Sequence, residues 1–338
     1  MMTDFTVAIC TYNGARRLPA LLNGLRAQSL GTAITWEVIV IDNNSTDATP
    51  ELIHQMQTDW RSDVPLRYSL EPRQGLGFAR QRAVELATGT LVGFLDDDNI
   101  PASDWVEQAY QFGQAHPQAA VYAGKIHGLY EVPPPPNFEL ISRFLAVGGA
   151  AHAFCYNHGS DYALPPGAGA VVRRTAWLSC VPEVLQLQGR IGGLRLPGED
   201  LEAFMHLRQA GWEAWYTPDL VIHHQIPKER LEASYLLDLM WRVGLSRHYT
   251  RTVGLHPAHQ ALMTPLFLLN DGMKVIAHSI NNLGGQQQLV DRCQGKLLVG
   301  SALSPFHYWL HRVLGMNFWP RSDHGLLFNP FNYFFAKT

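Results

Sequence analysis

The chain has 338 residues, 46% of them hydrophobic, and a formal net charge of −3. Such a length and apolar content suit one large domain with an appendage, or two modest ones, and exclude a mainly disordered chain. The lack of a basic surplus argues against a nucleic-acid partner.

The first hundred residues alternate between strand and helix patterns. Phe5 to Cys10 is almost wholly apolar, as a parallel strand covered on both faces should be. After a turn at Asn13-Gly14, Leu18, Leu21, Leu22 and Leu25 repeat at helical spacing. Trp36 to Ile41 is a second strand, and Ser45, Thr46 and Asp47 offer N-caps to a helix facing inward with Leu52, Ile53 and Met56. A third strand spans Leu66 to Leu70, a helix Gly77 to Ala87, a fourth strand Leu91 to Leu95, and Trp105, Ala109 and Phe112 mark the next helix. This rhythm predicts an α/β fold with a doubly wound, mainly parallel sheet flanked by helices. It breaks after Gly124. Pro133 to Pro136 reads as a spacer or loop wall, Ala168 to Val172 as a strand, Leu201 to Ala210 as a helix, and Ala214 to Tyr216 and Leu220 to Ile222 as two short strands. Beyond His224 the pattern is mainly helical, then loop-rich.

Ligands of open α/β sheets bind outside the carboxyl ends of the strands. The first strand runs into Thr11-Tyr12-Asn13, the second ends in Asp42-Asn43-Asn44, and the fourth in Asp96-Asp97-Asp98-Asn99. Three strands thus deliver polar groups to one rim. Adjacent carboxylates repel one another, and a hard divalent cation relieves that repulsion; carboxylate oxygens suit Mg²⁺ or Mn²⁺. Such an ion keeps open positions for substrate phosphates. Taken alone, the acid cluster also fits a solvated turn.

The stretches Thr6 to Asn13, Val38 to Asp47 and Phe94 to Asn99 together resemble the nucleotide-sugar half of family 2 glycosyltransferases, which are inverting enzymes of the GT-A fold. The resemblance runs from about Phe5 to about Arg247. Gly75 to Arg82 and Leu164 to Gly167 are also similar to a cyanobacterial branch serving hormogonium exopolysaccharide synthesis. It implies that Thr11, Tyr12 and Asn13 line the nucleobase pocket and that Asp42 accepts from the base imide, favouring a UDP-sugar. Arg80 is then expected near the nucleotide, Asp96 and Asp97 at the ribose and metal shell, and Asp98 on the metal. Asn99 stands where the family often has a fourth acid. Glu199-Asp200 resembles the family's Glu-Asp pair, with Asp200 the base that takes the acceptor hydroxyl proton and Glu199 beside the donor. Two acids opening a helix are also common as mere N-terminal capping residues. His224 is a further possible metal ligand, Arg230 and Arg242 are phosphate candidates, and small residues at Gly167-Ala168-Gly169 suit either close sugar approach or tight packing. The Gln-x-x-Arg-Trp signature of processive synthases is absent, which implies one sugar per encounter.

These expectations divide the chain into a GT-A domain over 1–230, with a nucleotide-sugar half (1–125) and an acceptor half (126–230), and a helical, aromatic-rich extension over 231–338. Residues 1–254 carry 20 Lys and Arg against 26 Asp and Glu, and residues 255–338 carry 6 against 3. The extension, with a stripe of Leu262, Pro265, Leu266, Leu269 and Met273 and aromatics from Leu297 to Trp319, suits a peripheral membrane contact or a helical cap and homodimer surface. Four cysteines without CxxC spacing read as free thiols. The N-terminus does not read as a secretory signal, and no apolar run approaches the ~20 residues of a membrane span. The expected location is cytoplasmic, at most at the inner face of the plasma membrane. The expected partners are a nucleotide-sugar donor and a saccharide or lipid-linked saccharide acceptor. A nicotinamide-binding Rossmann enzyme would need Gly-x-Gly-x-x-Gly where this chain has Thr11 to Arg16. A sugar-nucleotide pyrophosphorylase and a non-catalytic scaffold in a polysaccharide assembly complex stay as the alternatives.

Overall fold

The computed structural model describes residues 3–158, 163–189, 196–283 and 287–314. Chain order begins β1 (Thr3–Thr11), α1 (Leu18–Arg26), β2 (Trp36–Asp42), α2 (Thr49–Thr58), β3 (Leu66–Leu70), α3 (Leu76–Leu86), β4 (Gly89–Asp96), β5 (Asn99–Pro101) and α4 (Trp105–Ala115). It continues with β6 (Ala119–Tyr130), β7 (Phe154–Cys155), β8 (Val171–Arg173), α5 (Arg174–Cys180), α6 (Glu199–Gln209) and β9 (Glu213–Ile226). Three long helices follow: α7 (Ala233–Thr252), α8 (Pro257–Asn281) and α9 (Leu289–Leu314).

One sheet holds the strands in the order β3-β2-β1-β4-β8-β6-β9-β5, with β7 also on β9. β1 to β4 are mutually parallel. β8 lies antiparallel to both β4 and β6, β6 runs parallel to β9, and β5 lies antiparallel to β9. β6 passes unbroken through residue 125, so the two expected halves share a sheet. β2 is buried along its whole length because both faces are covered, which explains its unalternating apolar run. On one face pack Leu18, Leu21, Leu22 and Leu25 of α1 with Trp105 of α4. On the other pack Ala79 and Ala83 of α3, Trp177 of α5 and Phe204 of α6.

Three local expectations need correction. The two short strands after residue 213 are one continuous strand, β9; the register shifts where Gly124 of β6 meets the Leu220 carbonyl, and that irregularity absorbs Pro218. The strand expected at Ala168 begins only at Val171. α2 has Ala48, not one of the polar residues before it, at its N-cap, although Asp47 Oδ1 does accept from the Thr49 amide.

The C-terminal helices are tied to the sheet rather than hung beside it. Leu236, Leu239 and Met240 of α7 and Val290, Cys293 and Leu297 of α9 enclose Ile226, the last residue of β9, with Phe138, Ile141 and Leu145 from the segment after β6. Gly244 and Gly300 let the α7 and α9 backbones touch: a Cβ on Gly244 would lie 2.6 Å from the Leu297 carbonyl oxygen. The aromatic stretch beyond Leu314, including Trp319, lies outside the described residues. Among the described residues no helix is long and apolar enough to cross a membrane, and all four cysteines are free thiols.

A Cβ on Gly93 of β4 would sit 2.6 Å from Trp105 and 2.8 Å from Phe5. Gly93→Val is therefore expected to cost about 1–3 kcal/mol through overpacking. Urea unfolding measures this, and an unchanged midpoint would mean that the core yields at this point.

Candidate active site

The turn after β4 presents three consecutive aspartates, and each is bound by a different arginine. Asp96 Oδ1 lies 3.3 Å from Arg80 Nη2. Asp97 is clamped by Arg17, whose Nε and Nη2 donate to its two oxygens at 2.7 and 2.9 Å, and it accepts from the Thr11 hydroxyl at 2.7 Å. Asp98 Oδ2 lies 2.9 Å from Arg230 Nη1 and 3.4 Å from His224 Nε2. Asn99 ties the turn together, since its Oδ1 accepts from the Asp96 amide and its Nδ2 donates to Asp98 Oδ1. A fourth acid in its place would lack that donor. Gly14 belongs to the same construction, because a side chain there would collide with the Thr11 hydroxyl and with Asp97.

The electrostatics follow from these partners. Burial pushes the Asp98 carboxyl up, but the hydrogen bond from His224 and the charges of His224, Arg230 and Arg17 outweigh it and bring the group down to about 2. Asp96 keeps 35% of its side-chain surface open. Desolvation there pushes its carboxyl up, and Asp98 adds to this against the pull of Arg80. His224 shares its Nδ1 with the Leu145 carbonyl at 2.8 Å. With Nδ1 donating to that carbonyl, Nε2 is turned toward Asp98 and Arg230.

Arg80, a residue of α3, is 3% exposed and reaches across to the second half of the chain. Its Nη1 contacts Asp200 Oδ1 directly and lies 3.9 Å from Glu199 Oε1. The same guanidinium stands over the Phe94 ring, 5.4 Å from its centroid. Glu199 and Asp200 open α6, and Gly167 packs so closely on the Asp200 carboxylate that any side chain at 167 would overlap it. Gly167 thus makes room for an acid, whereas Gly169, at φ +69°, turns the chain against Ile222.

The end of the rim formed by β1 and β2 is tightly bonded. Asp42 is wholly buried, its Oδ1 accepting from the Ser45 amide and its Oδ2 from the Tyr68 hydroxyl. Burial and that bond push the Tyr68 hydroxyl up to about 12, so it remains a donor. Asn13, in the left-handed region at φ +52°, receives the Thr46 amide on its Oδ1 and donates its own amide to Ser45 Oγ. Tyr12 is partly exposed beside it, and its carbonyl accepts from Arg17. Asn43 holds the loop leading to α3 by accepting from the Gly75 amide and donating to the Arg73 carbonyl.

The structure therefore brings Arg80, Asp96, Glu199 and Asp200 together, and Asp98 with His224. It does not bring Asp96 and Asp98 onto one partner, it commits Asp97 to Arg17, and in this state it leaves Asp42 no open surface. Among the described residues no three His, Cys, Asp or Glu side chains converge as a ready metal cage. Sequence reasoning missed Arg17 and Tyr68. Arg17 looks like any surface arginine in the first turn of a helix, and only the fold shows it lying over the β4 turn.

Residues 6–146 match the family model described as Glycosyl transferase family 2. The succinoglycan biosynthesis protein ExoM of Rhizobium meliloti is 24% identical over 246 residues, 70% of this chain and 72% of that protein. Glycosyltransferase AglE of Haloferax volcanii is 33% identical over 104 residues, 30% of this chain and 33% of that one. Among solved structures, the mannosyltransferase PcManGT from Pyrobaculum calidifontis, in complex with GDP-Man and Mn²⁺, aligns with a TM-score of 0.57 at 20% identity, covering 95% of this chain and 89% of that one. TarS 1–349 of S. aureus aligns with a TM-score of 0.50 at 16% identity, covering 95% and 94%.

Arg17→Met would leave the buried Asp97 with only Thr11. Since Arg17 is 42% exposed, the expected loss is about 1–2 kcal/mol rather than that of a fully buried pair. A double-mutant cycle with Asp97→Asn in urea measures the coupling, and purely additive effects would show that the clamp contributes nothing.

Proposed function

We propose that this chain, a glycosyltransferase of the GT-A fold, moves one sugar per encounter from a nucleoside-diphosphate sugar to an acceptor hydroxyl, inverting the anomeric centre. The observation that carries this reading is the single guanidinium of Arg80 held between Asp96 of the donor rim and Asp200 of the acceptor half. It puts an acid suited to proton abstraction beside the strand ends where a diphosphate would lie.

Asp200 is the proposed base. It takes the acceptor hydroxyl proton as that oxygen attacks the sugar from the face opposite the leaving group. The Arg80 contact neutralises Asp200 in the resting state, and the charge of an arriving diphosphate is what would draw the guanidinium off it. Glu199, next in line to Arg80, keeps that side chain within reach of both acids. Thr11, Tyr12, Asn13 and Asp42 form the base end. Asp42 offers acceptor oxygens only, which suits an imide such as that of uracil, and contact requires the Tyr68 hydroxyl to turn aside. A UDP-sugar is the favoured donor on that ground.

Asp98 and His224 fit a divalent cation, Mg²⁺ or Mn²⁺. A carboxylate oxygen and an imidazole nitrogen 3.4 Å apart can share one ion, and Leu145 already sets the ring tautomer that ligation needs. The imidazole tilts the choice toward Mn²⁺, the ion named with the mannosyltransferase neighbour. When bound, such a cation neutralises the charge gathering on the departing diphosphate. Relatedness to a succinoglycan biosynthesis protein, with the resemblance of residues 75–82 and 164–167 to the hormogonium branch, supports an acceptor in exopolysaccharide assembly, saccharide or lipid-linked saccharide.

A panel of sugar nucleotides with Mn²⁺, scored for nucleotide release with and without acceptor, tests the assignment. Asp200→Asn is expected to keep donor affinity and lose turnover by two or more orders of magnitude. Wild-type turnover in that variant removes Asp200 from the chemistry. Excess EDTA is expected to abolish turnover, with Mn²⁺ restoring it; full activity under chelation ends the metal role of Asp98 and His224.

A further inference from the structure

α8 carries an apolar face that the rest of the described chain does not cover. Leu262, Leu266, Leu269, Met273, Ile276 and Ile280 are each 56–66% exposed, and Leu283, just past the helix end, is 77% exposed. Of the helix's 25 residues only Asp271 is buried, held by Arg251 of α7 at 2.6 and 3.0 Å. Within the helix, from Leu262 to Ile280, the exposed residues follow one another at alternating intervals of four and three. That is the spacing of a seam facing another helix, since a strict seven-residue repeat keeps one stripe toward a supercoiled partner.

Three observations name the partner. First, the face carries almost no charge: α8 has one lysine, Lys274, and its one acid is the buried Asp271. A helix lying on a lipid surface needs a strongly basic polar face, and this one lacks it. Second, Gly272 sits in the middle of the stripe, where glycine costs about 1 kcal/mol relative to alanine. A Cβ at Gly272 would meet nothing within 4 Å among the described residues, so none of their contacts calls for the glycine. A second helix backbone crossing at that point would. Third, the seven side chains are each more than half exposed along one continuous strip, and a stable interface asks for about 800 Å² from each partner. One stripe with its small residue at its own midpoint is self-complementary, as a two-fold contact demands.

We propose that α8 pairs with α8 of a second copy of this chain, crossing at Gly272 and Met273, so that the protein is a homodimer joined through its C-terminal helices. This contact is independent of the transfer chemistry, whose residues lie on other elements.

Sedimentation velocity of the full chain from 1 to 100 μM tests the pairing. The wild type is expected at dimer mass, and Leu269→Glu with Ile276→Glu at monomer mass, with dimer association weakened at least 100-fold. The melting temperature of the monomer should be unchanged, because both side chains point away from their own fold. Gly272→Leu should raise helix propensity yet weaken the dimer at least tenfold, an opposition that a role confined to one chain would not produce. Met273→Cys is expected to give a covalent dimer under mild oxidation, while Gln55→Cys, exposed on α2, does not. A wild type that stays monomeric at 100 μM overturns the proposal. So does flotation of the wild-type chain with phosphatidylglycerol vesicles that the glutamate pair abolishes, since the face would then belong to a lipid surface.

Discussion

The site depends on a buried cation before it depends on anything else. Arg80 is almost without solvent contact, and the cost of placing a charge there is met only because acids from two parts of the chain close on it. Asp96 comes from the end of a central parallel strand, Asp200 from the first turn of a helix more than a hundred residues later. The aromatic ring of Phe94 supplies the floor. Remove the guanidinium and Asp96 and Asp200 lose the cation they share. The contact between β4 and the first turn of α6 therefore runs through this one side chain.

Glycines give this arrangement its tolerances. Gly14 lets Thr11 reach Asp97, Gly167 lets the segment before β8 lie against Asp200, and Gly124 lets β6 and β9 remain paired across an irregular register. Each stands where a side chain would strike a named atom of the rim or the sheet behind it. The close approach of backbone to functional side chain is what the sequence shows as an otherwise unremarked glycine.

Much of the architecture was legible in the chain itself. The first four strands and their helices announced themselves because strands covered on both faces are continuously apolar while their helices repeat at 3.6. Their polar ends then fell at one rim by topology alone. β6 and β9 were harder to read: β6 mixes buried and exposed positions, and Pro218 makes β9 look like two pieces when only its pairing partner holds it as one. In the site, the acids were visible as a run, but their separate engagements were not. Nothing in Asp96-Asp97-Asp98 says that three neighbours turn to three different arginines; that is decided by Arg17, Arg80 and Arg230 arriving from three distant segments. The exposure of α8 was equally hidden, because an apolar stripe reads the same whether it faces a core or water.

One feature of Arg230 bears on how ligands enter. Its Nη1 lies 2.9 Å from Asp98 and 3.0 Å from His224 Nε2, so it already occupies the position between carboxylate and imidazole. The carboxylate of Asp98 thus already has a counter-charge from its own chain. Any ligand of Asp98 and His224 would have to displace a guanidinium rather than fill a vacant anionic hole. What such a ligand gains is then only its advantage over the arginine it would replace.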